Sequence, residues 1–397
     1  MNENCDNLLL IAAAGSGKTR FLVERALADI DKKTLITTYT RSNSEEIRRK
    51  IREKNKDLTG ENSIPPNIVI EEWFTFLLRH GVRPLKSFLS KDLRYKQVGF
   101  RLVNERSGAK NKEKNIYWGE EENLLRFYFG KGYRIFSDKI SKFVYECNKV
   151  SNGCFTERIS TYFDNVYIDE VQDLAGWDLE ILKLLFKSNA KTILVGDPRQ
   201  TVYLTHHDKK HPKYKNGKID DFVREECKQD NVCVDYEILN KTHRNNVEIA
   251  QVSSKLYPTY PETGVCDCRE CRASSSARRG VFLIRGKDIP KLQSEDPHLD
   301  IKILRFRESS EEEMNVGVSK GLTFDRVIIY PTKNIVDWII MRKKAGELAY
   351  PTRAKFYVAL TRARHAVFVV YDYSGTETLA DGVRIFDESD TQVRLLL

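Results

Sequence analysis

The sequence predicts an α/β fold built on parallel sheets, and three observations carry that expectation. Short β-branched runs alternate with stretches of helical periodicity along most of the chain. One apolar run, residues 8–14, breaks into Gly15-Ser16-Gly17-Lys18-Thr19 and then into an amphipathic pattern, which is the order strand, glycine-rich turn, helix. The 397-residue chain is 41% hydrophobic and 31% charged, a globular composition long enough for roughly two or three domains with full cores.

The elements follow in order. The run at 8–14 is the first buried strand, and Phe21, Leu22, Ala26, Leu27 and Ile30 form the apolar stripe of the helix after it. Further strands are expected at 35–39, 166–168, 192–195, 280–284, 301–306, 326–330 and 366–371. From about residue 74 to residue 155 the strand signal fades. There Trp73, Phe74, Leu77 and Leu78, then Leu124, Leu125, Phe127, Phe143 and Val144, recur at helical spacing, which predicts a small helical insertion in the first sheet. The stretch 205–220, with Lys209, Lys210, Lys213, Lys215 and Lys218, reads as a polar loop near the passage into a second sheet. The expected segments are 1–73 and 156–228 for the first domain, 74–155 for the insertion and 229–397 for the second domain.

A formal net charge of +9, with clusters at Arg48-Arg49-Lys50, Lys209-Lys210, Arg278-Arg279 and Arg342-Lys343-Lys344, suits a polyanionic partner. Residues 8–14 also resemble the apolar core of a secretory signal. Glu3 and Asp6 precede them in place of basic residues, however, and Gly-Lys-Thr follows where a mature N-terminus would begin. No run is long enough to cross a bilayer, so a cytoplasmic protein is expected. In that setting the eight cysteines read as reduced or metal-bound rather than disulfide-bonded.

The glycine-rich turn has the chemistry of a phosphate-binding loop. Only glycine and small residues let consecutive backbone N–H groups turn inward around a polyphosphate at a helix N-terminus. Ala14, Gly15, Ser16, Gly17, Lys18, Thr19 and Arg20 are therefore the candidate nucleotide-binding residues, with Lys18 charging the β/γ-phosphates and Thr19 a Mg²⁺ ligand. Downstream, Tyr167-Ile168-Asp169-Glu170 is a strand running into paired carboxylates, one to hold Mg²⁺ (Asp169) and one to take a proton from attacking water (Glu170). Val195-Gly196-Asp197-Pro198-Arg199-Gln200 is another strand ending in a tight turn, from which Gln200 could reach the γ-phosphate and report its presence. Arg244 and Arg362 are each expected at a helix of the second half, as cations for the transferring phosphoryl group.

Taken together, the ordered set resembles the UvrD/Rep-like superfamily 1 helicases. It comprises Ala-Ala-Ala-Gly-Ser-Gly-Lys-Thr (12–19), Thr-Thr-Tyr-Thr (37–40), Ile-Asp-Glu-Val-Gln-Asp (168–173), Gly-Asp-Pro-Arg-Gln (196–200), Thr-His-Arg (242–244), Ser-Lys-Gly-Leu-Thr-Phe-Asp (319–325) and Tyr-Val-Ala-Leu-Thr-Arg-Ala-Arg (357–364). The resemblance implies two RecA-like P-loop NTPase domains that bind ATP and move 3′ to 5′ along single-stranded DNA. It places ATPase roles on Lys18, Thr19, Asp169, Glu170, Gln200, Arg244 and Arg362, and DNA contact on Thr38, Tyr39, Tyr203 and Lys320.

Departures narrow the resemblance. Too few residues precede the phosphate loop to carry the family's adenine-reading Gln, Ala12 stands where the loop pattern begins with Gly, and Thr323 stands where relatives have a ribose-contacting Glu. Tyr203-Leu204-Thr205-His206-His207 replaces the usual base-stacking segment, and the interval from Arg244 to Ser319 leaves no room for a large second insertion. This compactness is similar to the helicase-like subunits of Gabija-type antiphage systems, which work beside an OLD-family nuclease. A non-motor subunit that senses DNA ends and nucleotide to activate a nuclease is the alternative to a translocating motor. Finally, Cys266, Cys268 and Cys271 could ligate zinc with Cys227, Cys233 or His243, against the alternative of a thiol-containing hairpin.

Overall fold

The computed structural model describes residues 5–103, 107–108, 110–111, 116–202, 210–268, 278–295, 297–307, 310 and 313–387. The chain is mixed α/β with parallel sheets, and it divides into two compact units. The first comprises residues 1–10, 18–196 and 204–235, and the second residues 11–17, 197–203 and 236–397.

The first unit is organised by a six-stranded sheet in the order Val232–Asp235, Asn7–Ile11, Lys191–Gly196, Asn165–Asp169, Thr34–Thr38, Ile68–Glu72. Its four central strands are buried almost throughout: Leu9, Leu10, Leu35, Ile36, Val166 and Leu194 are fully enclosed, the near-continuous apolar pattern of a parallel sheet covered on both faces. Parallel pairing of Lys191–Gly196 with Asn165–Asp169 sets Val195 opposite Asp169, which brings the ends of the two strands to one edge. Helix Lys18–Ala28 buries Leu22, Val23 and Ala26. Ile30 lies beyond its end and is exposed, so the expected stripe is one residue too long. Helix Arg41–Thr59 starts at Thr40, whose side chain accepts from Asn43 N at 3.2 Å, and stops at Gly60 in the left-handed region.

Two expectations are corrected in this unit. The stretch 74–155 is not purely helical. Helices Arg83–Leu89, Leu124–Tyr128 and Ile140–Val150 are accompanied by a three-stranded sheet of Gly99–Arg101, Arg134–Phe136 and Phe129–Gly130, and by the antiparallel pair Lys110–Asn111 and Ile116–Tyr117. Strands of two or three residues are too short to display a period of two. A π-helical turn, Leu77–Val82, also interrupts the helical run, and a Cβ at Gly81 would overlap Val144, so glycine there lets the turn approach helix Ile140–Val150. Second, Cys5 and Cys233 form a disulfide, with Cα atoms 5.8 Å apart. The parallel register that sets Leu8 opposite Cys233 brings together two segments far apart in sequence.

The second unit carries another six-stranded sheet, in the order Glu313–Asn315, Ile301–Arg305, Phe324–Tyr330, Ala363–Val370, Gly280–Ile284, Val383–Ile385. Its faces are sealed by two clusters, one around Val281, Leu283, Val327, Ile329, Val367 and Val369, the other around Phe282, Ile284, Ile328 and Phe368. Alternate residues of the same strands supply the two clusters, as the twofold period of a strand requires. A separate two-stranded ladder pairs Lys241–Thr242 with Gly264–Val265.

Candidate nucleotide-binding site

In the first unit the sheet edge collects the carboxylates and the start of helix Lys18–Ala28. Thr19 Oγ1 donates to Asp169 Oδ2 at 3.0 Å, and Lys18 Nζ lies 3.8 Å from Glu170 Oε1. Asp169 is 3% exposed. Burial and the neighbouring Glu170 charge push its carboxyl up to about 6, against Lys18 and the Thr19 hydroxyl, which favour the ionised form. Glu170 sits in the left-handed region at φ 56°, a conformation that costs free energy for a residue with a Cβ. Gln172 Nε2 donates to Glu170 Oε2, which orients that carboxylate. A Cβ at Gly196 would overlap Gln172 Oε1, so glycine at the end of strand Lys191–Gly196 is what gives Gln172 its place.

In the second unit the loop residues and the basic residues are held by one hydrogen-bonded network. Gly15 and Gly17 have φ of 73° and 83°. A side chain at Gly15 would meet Arg244 Cβ at 2.7 Å and Thr242 Oγ1 at 2.8 Å. The Ser16 hydroxyl is buried and has no partner among the described residues. Positive φ at both glycines and an orphan hydroxyl between them fit a loop that closes around an anion. Gln200, 3% exposed, donates to Asp197 Oδ2 at 2.8 Å and accepts from Arg362 Nη2 at 3.1 Å. Arg362 is 1% exposed, and its other nitrogens reach Val358 O and Leu322 O at 3.2 Å each.

Arg244 Nη1 donates to Thr361 O at 3.2 Å, the residue before Arg362. Each arginine flanks a helix. Arg244 lies between strand Lys241–Thr242 and helix Val247–Ser254, and Arg362 lies just past the cap of helix Tyr350–Leu360. Sequence reasoning missed Arg199 and Tyr357. Arg199 pairs with Asp197 at 2.7 Å and donates to Ala12 O at 2.9 Å, while the Tyr357 hydroxyl accepts from Ala14 N at 3.4 Å and donates to Asp197 Oδ2 at 3.2 Å. The only signal for Arg199 was a basic residue inside Gly-Asp-Pro-Arg-Gln.

Thr38 is buried at the end of its strand, and Tyr39 packs edge-on against Phe74 at 5.6 Å with its hydroxyl pKa raised by burial and by Asp178 and Asp173. Lys320 is half-buried in the turn before Gly321. Tyr203, His206 and His207 lie outside the described residues, as does Cys271. Arg20 is engaged with Glu24 along its own helix, at 2.8 Å. Of the suggested zinc partners, Cys227 is buried elsewhere and Cys233 is in the disulfide, which leaves His243 beside Cys266 and Cys268.

A glycine loop, a helix-borne Lys-Thr pair and a strand-end Asp-Glu pair are the marks by which one family can be tested. Residues 1–87 and 136–205 match the UvrD/REP helicase N-terminal domain. The two matched blocks leave out residues 88–135. Similar solved structures include a PRRSV helicase, at 14% identity and TM-score 0.41, covering 93% of this chain and 53% of that one. The Arterivirus nonstructural protein 10 helicase is similar at 14% identity and TM-score 0.42, covering 93% and 60%. Its complex with DNA gives 12% identity and TM-score 0.41, covering 93% and 61%. The chain thus spans about half to three-fifths of the length of these helicases. No curated protein matches the sequence. Among the described residues no helix is long and apolar enough to cross a membrane.

Proposed function

We propose that the chain is a DNA-dependent ATPase of the UvrD-like type, with two RecA-like domains, that translocates along or senses single-stranded DNA. The observation that carries the reading is the grouping of Lys18, Thr19, Asp169 and Glu170 at one sheet edge, directly after a loop with two left-handed glycines. Lys18 charges the β/γ-phosphates. Glu170, oriented by Gln172, takes a proton from water as the water oxygen bonds to the γ-phosphorus, and the bond from that phosphorus to the β–γ bridging oxygen breaks to leave ADP and phosphate. Thr19 and Asp169 would hold Mg²⁺, which supplies neutralising charge to the phosphate oxygens. Arg244 and Arg362 supply guanidinium charge for the transferring group, and Gln200, bonded to Arg362, links that charge to Asp197.

The test is single-stranded-DNA-stimulated ATP hydrolysis with parallel nucleotide-binding measurements. Lys18→Ala should lose turnover and weaken binding, while Glu170→Gln should lose turnover with binding intact. Equal loss of affinity in both would contradict the roles assigned. The short interval between Arg244 and Ser319 favours a second reading, a non-motor subunit that senses nucleotide and DNA ends for a partner nuclease in a Gabija-like setting. Unwinding of a tailed duplex by the isolated chain would exclude it.

A further inference from the structure

We infer that His243, Cys266 and Cys268 form a zinc site that pins the Thr242–Arg244 segment. The ladder of Lys241–Thr242 with Gly264–Val265 is parallel and only two residues long on each side, with Thr242 opposite Val265. Cys266 N donates to Thr242 O at 3.0 Å, so the register continues past the ladder and sets His243 beside Cys266. Cys268, two residues on, returns toward the same point: its Sγ is 3.0 Å from Cys266 Sγ and 3.8 Å from His243 Nδ1. One ligand atom from each of the three residues lies within 4.8 Å of the others. Zn–S bonds of about 2.3 Å and Zn–N bonds of about 2.0–2.1 Å in tetrahedral geometry put donor atoms about 3.5–3.8 Å apart, so changes of about 1 Å in the donor separations would seat the ion. Two thiolates and an imidazole are a donor set that selects zinc over magnesium or calcium.

The fold supplies a reason for a metal here. A two-stranded ladder of this length is marginal by itself, and parallel strands lack the short hairpin that would tie them. Lys241 and Asp267 form an ion pair at 3.2 Å with both side chains largely exposed, which adds little. Three metal bonds would cross-link the ladder at the end where its hydrogen bonds stop. His243 N also donates to Gly15 O at 2.8 Å, and Arg244 Cβ closes over Gly15. Ligation at His243 therefore fixes the backbone that flanks the phosphate loop and carries Arg244. This consequence for turnover rests on the ATPase reading, whereas metal binding does not.

The experiment is metal analysis of the full chain purified under reducing conditions, after passage through dilute chelator, combined with Co²⁺ substitution of metal-depleted protein. The expected result is one zinc per chain in the wild type, with thiolate-to-metal charge-transfer absorption when Co²⁺ replaces it. Cys268→Ser, at an exposed position that leaves the core intact, should lose the bound equivalent while keeping the wild-type circular dichroism. His243→Ala should also lose it, and Lys18→Ala should retain it, so failure of the metal site and failure of the ATPase reading give different results. Zinc well below stoichiometric in wild type, retention of full zinc by either ligand variant, or a Cys266–Cys268 disulfide in the reduced preparation would overturn the assignment.

Discussion

Removing the Arg199 side chain should destabilise the second unit by about 3–5 kcal/mol, the range for stranding one partner of a buried ion pair. Asp197 is 0% and Arg199 2% exposed, and they meet at 2.7 Å. Burial opposes the Arg199 charge, but the charge of Asp197 and its hydrogen bond more than offset this and hold the guanidinium above its usual pKa. In Arg199→Ala, Asp197 keeps Gln200 Nε2 at 2.8 Å and Tyr357 OH at 3.2 Å, which places the carboxylate's loss toward the lower end of the range. Ala12 O also loses its donor, and the guanidinium leaves the faces of Tyr357 and Tyr260, 5.1 and 5.6 Å from their centroids, adding about 1 kcal/mol or more. Urea unfolding followed by circular dichroism should show a lower midpoint at unchanged slope. The double variant Arg199→Met with Asp197→Asn should recover a large part of the loss, because no charge is then stranded. A single-variant loss below about 1 kcal/mol, or a double variant no better than the single, would refute the reasoning.

Arg244→Ala should lower ATP turnover by about 10³–10⁵, as for an arginine finger; activity within about tenfold of wild type would remove it from the mechanism. Arg362→Ala should lower turnover and melting temperature together, since this buried side chain also bonds Val358 O, Leu322 O and Gln200 Oε1. His80, enclosed by Phe76, Tyr162 and Phe163 with Arg158, Arg79, Lys33 and Glu71 around it, is held neutral mainly by burial, its pKa lowered from 6.5 to about 4. The unfolded chain takes up its proton first as pH falls, so this contribution is full above pH 6.5 and about 2 kcal/mol of it is gone at pH 5. Glu71, whose pKa is raised by burial against Arg79 and Arg48, pushes stability the other way at lower pH, so the comparison is His80→Phe against wild type between pH 8 and pH 5. Parallel stability curves for the two proteins would show that His80 does not titrate in this manner.

What was legible in the sequence is what the chain places contiguously. Gly15-Ser16-Gly17-Lys18-Thr19 and Asp169-Glu170 carry their geometry locally, because a strand end, a left-handed turn and a helix start need only neighbouring residues. The buried strands were legible for a similar reason, their apolar runs being unbroken. By contrast, the roles of Thr40 and Ile30 turned on where a helix begins and ends, a boundary that periodicity places only to within a few residues. Arg199 was invisible because Ala12, Thr263 and Tyr357 become its neighbours only through tertiary packing.

The cysteines make the same point about register. By spacing alone Cys227, Cys233 and His243 were equivalent partners for Cys266 and Cys268, and nothing local ranked them. One pairing, Leu8 with Cys233, commits that thiol to Cys5, while another, Thr242 with Val265, delivers His243 to Cys266. Strand register therefore selects the ligand set, and a slip of one residue would turn Cys266 to the opposite side of the ladder and dissolve the site. The same two-residue ladder places the ligands of the proposed site, and His243 passes that placement to Gly15 through a backbone hydrogen bond.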